Sequence, residues 1–507
     1  MLAKVISFGL IGITAYPVEI EVDVSDGLPN TTIVGLPDSA IRESKERIRA
    51  GIKNSGFVFP CGRITINLAP ANLKKEGSSF DLAMSIGILA ASRQINPEQI
   101  NGYAFAGELA LNGELRKIRG VLAMALRLKR HKINKIILPI PNTQEAAIVK
   151  DIQVFGIKTL RDFINILHDP GLIQPCQPAA KETSTHDPYD LDFCDVKGQA
   201  AAKRALEIAA SGRHNILFIG PPGSGKTMLA KRITTILPDL SEEEALETTK
   251  IHSIMGLLDQ QTSIIQKRPF RTPHHSASSP SLIGGGPNLR PGEISLAHNG
   301  ILFLDELPEF HRDVLEALRQ PLEDGFVKVL RASGSLTFPA SFMLISAMNP
   351  CPCGYYTHPK KPCRCSPNKI HNYLGKISGP LLDRIDIHLE IPSVNYQELS
   401  SQASGESSGQ IKIRVEKTQT LQRQRFKSDN ISYNAGMSSR LIRKYCAMDK
   451  NANSLMKKAV EELGFSARAY DKILKIARTI ADMAEKEIIE EQHVAEALQY
   501  RNLDKYS

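Results

Sequence analysis

The spacing of apolar side chains along this chain changes period from one segment to the next. In "PVEIEVDVSDG", Val18, Ile20, Val22 and Val24 alternate with Glu19, Glu21 and Asp23, the pattern of a half-buried strand running into a turn. "DSAIRESKERIRAGIKNSG" then reads as a charged helix capped by Asp38 and closed near Gly56. "RITINLAP" predicts a strand, "SFDLAMSIGILAASRQ" a helix and "INKIILP" another strand, so residues 1–168 are expected to form one α/β or α+β domain. "DPGLIQPCQPAAKETSTHDPYD" has prolines and little periodicity, and predicts a linker over 169–190. Residues 191–399 hold short, continuously apolar strands. A low-complexity break over 400–410 precedes residues 411–507, whose apolar positions recur at three and four, as a helical bundle requires.

Composition narrows this little. A chain of 507 residues predicts two or three domains. Its 42% hydrophobic and 23% charged residues are ordinary for a soluble globular protein, and a net charge of +9 favours an anionic partner such as nucleotide or nucleic acid. Cys61, Cys176, Cys194 and Cys446 are scattered without a framework pattern, which points to a reducing cytoplasm. "MLAKVISFGLIGITAYP" looks superficially like a signal peptide, but it runs straight into the alternating strand and is expected to be folded. No apolar run reaches the ~18 residues of a membrane span.

The strongest chemical signal is "NILFIGPPGSGKTMLAKRI". An apolar strand, Ile216–Ile219, feeds Gly220, Pro221, Pro222, Gly223, Ser224, Gly225, Lys226 and Thr227, and a helix follows. This is a P-loop in its strand–loop–helix setting: backbone N–H groups curl around phosphate oxygens, Lys226 reaches the β- and γ-phosphates of ATP, and Thr227 offers its hydroxyl to Mg²⁺. A second apolar strand, "NGILFLDELPEF", ends in Asp305 and Glu306. Asp305 is expected to hold Mg²⁺, largely through water, and Glu306 to orient or deprotonate the attacking water. Asn349 ends a third buried strand, "FMLISAMNP"; Arg384 lies in "LLDRIDIHLEI" and Arg468 near the start of a helix. Each suits a nucleotide site, and each suits equally a capped strand end or a surface ion pair. "NPCPCGYYTHPKKPCRCSP" places Cys351, Cys353, Cys363 and Cys365 in one loop, the ligand number of a closed structural Zn²⁺ site, with His358 as a substitute ligand.

"GPPGSGKT", "GILFLDELPEF", "AMNPCPCG", "GPLLDRIDIH" and "FSARAYDKILKIARTIADM", in this order, resemble the magnesium-chelatase-like branch of AAA+ ATPases. Within it, nearly the whole chain resembles the bacterial ComM/YifB family. The resemblance implies a Lon-protease-like, S5-fold N-terminal domain, a central AAA+ ATPase and a C-terminal helical lid. It implies a ring, a hexamer with ATP between subunits, that drives DNA unwinding or branch migration during natural transformation, with other recombination proteins as possible partners. By motif, Asn349 resembles sensor 1, Arg384 a trans-acting arginine finger and Arg468 sensor 2. "FVKVLRASGSLTFPASFMLI" resembles a DNA-reading pore hairpin, with Lys328, Arg331 and Ser333 at its turn. The insertion "KRPFRTPHHSASSPSLIGGGPNLRPGEIS" offers Lys267, Arg268 and Arg271 as further DNA contacts. "KKEGSSFDLAMSIGIL" resembles the Lon serine segment and puts Ser79 at the nucleophile, but the position matching the dyad lysine is Leu122. A serine without a base is only an alcohol, so no peptidase activity is expected. The rival to a DNA motor is a protein-remodelling ATPase of the magnesium-chelatase type.

Overall fold

The computed structural model describes residues 1–501 apart from 132, 170, 172, 179–190, 260–263, 287–288, 332–333, 357, 359 and 394–404. The chain divides into two compact units: Met1–Thr183 with Ser241–Ile265, and Ser184–Leu240 with Gln266–Ser507.

The first unit is built on a seven-stranded mixed sheet. Its strands are β1 (Leu2–Ile11), β2 (Thr14–Ser25), β3 (Asn30–Val34), β4 (Arg63–Ala69), β5 (Tyr103–Phe105), β6 (Lys135–Pro139) and β7 (Gln153–Ile157), in the order β3-β4-β2-β1-β5-β6-β7. The N-terminal apolar stretch is β1, paired antiparallel with the alternating strand β2, Val5 opposite Ile20. Val18, Ile20 and Val22 are buried, as the alternation requires. Helix Ser39–Asn54 is capped by the Asp38 side chain, which accepts from the Ile41 N–H. The period of two sorts the sheet's side chains into two layers. Phe105 and Ile137 pack with helices Ser39–Asn54 and Asp81–Ala91, while Ala104, Ile136 and Leu138 pack with helix Val121–Arg130.

Sequence pattern alone assigned 241–265 to the ATPase core. In the structure, helix Glu242–Met255 contributes Leu246 and Ile254 to the second of these layers, and the Ser253 hydroxyl donates to the buried Glu145 carboxylate. Residues 241–265 thus group with the first compact unit.

The second unit holds a five-stranded, wholly parallel sheet, ordered β9-β10-β13-β8-β14. Its strands are β8 (Ile216–Ile219), β9 (Phe270–Arg271), β10 (Ile301–Leu304), β13 (Met343–Met348) and β14 (Ile387–Glu390). Between β10 and β13 the chain makes a hairpin of β11 (Phe326–Arg331) and β12 (Gly334–Pro339), with Lys328 opposite Thr337. Both faces of the parallel sheet are covered, hence the unbroken apolar runs. Leu217, Leu302 and Leu344 face one cluster, and Ile216, Phe303 and Ile345 the other. That second cluster continues into Ile411, Val415, Ile473, Ile480 and Val494, so the C-terminal helices share the core of the sheet. The break expected over 400–410 ends early. Ser407 and Gln410 form a reciprocal capping box that starts helix Ser408–Arg425 within it. Among the described residues no helix is long and apolar enough to cross a membrane.

Candidate nucleotide-binding site

Strand β8 lies between β13 and β14, so the loop after it opens at the carboxyl edge of the sheet, where parallel sheets bind ligands. Gly220 cannot be replaced without movement, because a Cβ there would stand 2.3 Å from the Ile391 carbonyl oxygen. Gly225, at φ +86°, turns the chain into helix Lys226–Ile236. Lys226 Nζ donates to the Gly220 and Pro221 carbonyls at 2.8 and 2.9 Å and to Asn349 Oδ1 at 3.2 Å. Burial lowers its pKa, opposed by the charges of Asp305 and Glu306. Ser224 Oγ is buried and finds no hydrogen-bond partner among the described residues. The Ser224 hydroxyl is a donor in want of an acceptor, and with the Lys226 ammonium held over the same loop it fits a polyphosphate.

The pair expected to hold Mg²⁺ is assembled. Thr227 Oγ1 donates to Asp305 Oδ2 at 2.7 Å across 78 residues of sequence. Asp305 Oδ1 accepts the Glu306 N–H at 3.0 Å. Glu306 takes the left-handed conformation, φ +54° and ψ +47°, uncommon for a residue with a side chain and often found at functional sites. Its side chain is 56% exposed at the end of β10, free to meet a water. Asn349, at the end of β13, is brought to the P-loop through Lys226. A residue missed by sequence reasoning is Gln199, whose Nε2 donates to the Ser224 carbonyl at 2.7 Å. The signal available was Gly198-Gln199 directly before helix Ala200–Gly212.

The two arginines are placed elsewhere. Arg384 pairs with Glu323 and donates to the Pro380 carbonyl at 2.8 Å. Arg468 lies 4.0 Å from Asp383 and is 63% exposed. Neither has a P-loop group among these partners. Of the DNA-contact candidates, Arg268 is corrected. It is 9% exposed and donates to the Pro238 and Asn299 carbonyls at 2.8 and 2.7 Å, so its charge caps backbone inside the fold. Arg271 is part-exposed and makes a bidentate pair with Glu293 at 2.7 and 2.8 Å. Lys267 and Lys328 are exposed. Ser333 and the side chain of Arg331 lie outside the described residues.

The four loop cysteines converge. Their sulfurs all lie within 4.8 Å of one another, with pairs at 3.3, 3.7 and 3.5 Å and no disulfide among the described residues. Tetrahedral ligands at a Zn–S distance of about 2.3 Å stand roughly 3.8 Å apart, close to this spacing. Backbone N–H groups of Arg364 and Tyr355 bring the Cys353 thiol down to about 6. His358 does not join the cluster of ligand atoms; its Nδ1 accepts the Lys360 and Lys361 N–H groups at 3.0 Å each. The loop touches the phosphate cradle: a Cβ on Gly354 would stand 2.4 Å from Pro222 Cδ.

In the first unit, Leu122 is fully buried in an apolar cluster, and its N–H donates to Glu145 Oε1 at 2.8 Å. The position matching the Lon lysine therefore offers no base.

A parallel sheet carrying a P-loop, an Asp-Glu pair and a polar sensor at adjacent strand ends, with a helical lid on the same core, defines an AAA+ ATPase of the magnesium-chelatase type. The model of the family "Magnesium chelatase, subunit ChlI" matches residues 192–399, "Subunit ChlI of Mg-chelatase" residues 20–142, and "Magnesium chelatase, subunit ChlI C-terminal" residues 405–501. The chain is 44% identical to competence protein ComM of Haemophilus influenzae, covering 99% of this chain and 97% of that protein. It is 45% identical to YifB of Salmonella typhimurium, covering 99% and 98%. A local similarity, 28% over 142 residues, joins 26% of this chain to 25% of Lon protease 2 of Bacillus subtilis. The chain belongs to the ComM/YifB family, and membership implies ATPase activity.

Proposed function

We propose that this protein is an ATP-driven DNA motor. It assembles as a homohexameric ring and promotes branch migration or unwinding during the integration of incoming DNA. The observation that carries the reading is the β11–β12 hairpin, which bears exposed Lys328 and lies between the strand of Asp305 and Glu306 and the strand of Asn349. A cationic hairpin joined at both ends to hydrolysis strands can turn phosphate chemistry into movement along a backbone of phosphates. Similarity over the full length to a protein named for competence supports it.

In this reading Lys226 leaves its loop carbonyls for the β- and γ-phosphates. Ser224 and the loop N–H groups bind phosphate oxygens, Asn349 senses the γ-phosphate, and Glu306 takes a proton from the attacking water. Thr227 and Asp305 would hold Mg²⁺, which would supply charge neutralisation. Arg384 leaves Glu323 to act on a neighbouring subunit's ATP, and Arg468 serves as sensor 2. The cysteine quartet holds a structural Zn²⁺, and the Lon-like domain is not a peptidase. A second reading, remodelling of a protein partner, is favoured by the burial of Arg268, which removes one cation from the DNA-facing set.

Strand displacement on forked and three-stranded DNA separates them. The motor reading expects ATP-dependent displacement that is lost in Glu306→Gln. No displacement, with an ATPase rate indifferent to DNA, would leave the remodelling reading.

A further inference from the structure

Glu306 must present one carboxylate oxygen to water while the other is held, because a general base on a freely turning side chain spends little time aligned. Among the described residues this carboxylate's one ionic neighbour is His275: Nδ1 lies 3.5 Å from Glu306 Oε2, with the side chains 37% and 56% exposed. That is just beyond a direct N–H···O bond, and a shift of roughly 0.5 Å closes it. The imidazole is itself held on two sides. The His274 ring packs against it with centroids 4.1 Å apart, and His274 Nδ1 is tied to its own loop by the Ser276 N–H at 3.3 Å and Ser276 Oγ at 2.8 Å. On another side His275 meets Phe310 edge-on at 6.4 Å. Phe310 is 4% exposed and closes the turn that begins at Glu306. The ring therefore rests on groups fixed with respect to the base it faces.

We infer that His275 is a positioning residue for hydrolysis: its Nδ1–H holds Glu306 Oε2 and leaves Oε1 to take the proton of the attacking water. This rests on the reading of Glu306 as the group that activates water. The basic insertion thereby does more than offer cations, since it supplies the orienting partner of the hydrolytic carboxylate. The role belongs to Nδ1, and asparagine can place an amide N–H near that atom, whereas glutamine places its own near Nε2.

The test is steady-state ATPase kinetics without DNA on the full chain, for wild type, Glu306→Gln, His275→Ala, His275→Asn and His275→Gln, each with its melting temperature and the affinity of a fluorescent ATP analogue. His275→Ala is expected to lower kcat about tenfold, less than the 10²–10⁴-fold of the general base it orients. KM and analogue affinity should stay within about twofold, as for an interaction used only at the transition state. His275→Asn should recover most of kcat and His275→Gln little. The inference is overturned by an unchanged kcat in His275→Ala, by a loss carried in KM or melting temperature, or by Asn and Gln variants equally impaired. A Glu306→Gln enzyme turning over at the wild-type rate would instead remove the role of Glu306, an outcome read separately in the same experiment.

Discussion

Replacing Gly354 by alanine tests whether the cysteine loop shapes the phosphate cradle. Gly354 sits at φ +81°, and an added Cβ would stand 2.4 Å from Pro222 Cδ and 2.7 Å from Pro222 Cγ. Carbon atoms pack best at about 3.5–4.0 Å, so the overlap is roughly 1 Å. The left-handed backbone costs an alanine about 1–2 kcal/mol, and overpacking a close contact adds about 1–3 kcal/mol. The proline ring cannot rotate away, because it is part of the P-loop main chain. The other side is no softer: Gly354 N–H donates to the Cys351 carbonyl at 2.9 Å, and Cys351 is fully buried. Relief must come largely from displacement of the cradle. If about 1.4 kcal/mol of the overlap is relieved that way, ATP affinity falls about tenfold. Titration with a fluorescent ATP analogue reads this directly. Gly464→Ala is the control, since φ there is +66° and no atom lies within 4 Å of the new Cβ. It should cost stability through the backbone alone and leave affinity unchanged. A folded Gly354→Ala protein that binds the analogue within twofold of wild type refutes the coupling of loop to cradle.

Other expectations follow from the same geometry. Glu306→Gln should lower kcat about 10²–10³-fold yet retain ATP, because the Lys226 and Ser224 contacts remain; rapid release of bound ATP would count against the assignment. Purified protein should carry about one zinc per chain, with Cys351→Ser lowering occupancy. Less than about a tenth of an equivalent in the native protein would sink the zinc reading. Burial, with Arg501 and Lys472 nearby, depresses His388 to about 3. The unfolded chain therefore binds the proton more tightly below about 6.5, and the stability tied to neutral His388 is lost as pH falls from there toward 3, by about 1.4 kcal/mol per pH unit. Urea unfolding at pH 7 and pH 5 should show this loss, and His388→Leu should flatten it. An unchanged slope would contradict it.

The parts legible in the sequence were those whose physics is local. A run of apolar residues buried on both faces reads as a parallel strand wherever it occurs, and a glycine-rich turn before a lysine reads as a phosphate cradle, because the backbone at that point decides the matter. Asp38 and the alternating stretch Val18–Val24 of β2 were legible for the same reason. What a side chain does with its charge depends on which groups the fold brings to it. Arg268 and Lys328 are both cations with apolar residues close by in sequence. One is consumed by the Pro238 and Asn299 carbonyls, and the other is left exposed on a hairpin. Helix Glu242–Met255 has only a weak apolar face, and only the packing of Ile254 and the Ser253–Glu145 bond assign it to the first unit. The sequence by itself determined the chemistry available: a phosphate cradle, a carboxylate pair, four thiols and an excess of cations. Tertiary structure alone decided which of these meet: Thr227 with Asp305, Gly354 with Pro222 and His275 with Glu306. Contacts between residues far apart in sequence are set by how packed strands and helices close on one another, and no local pattern records them.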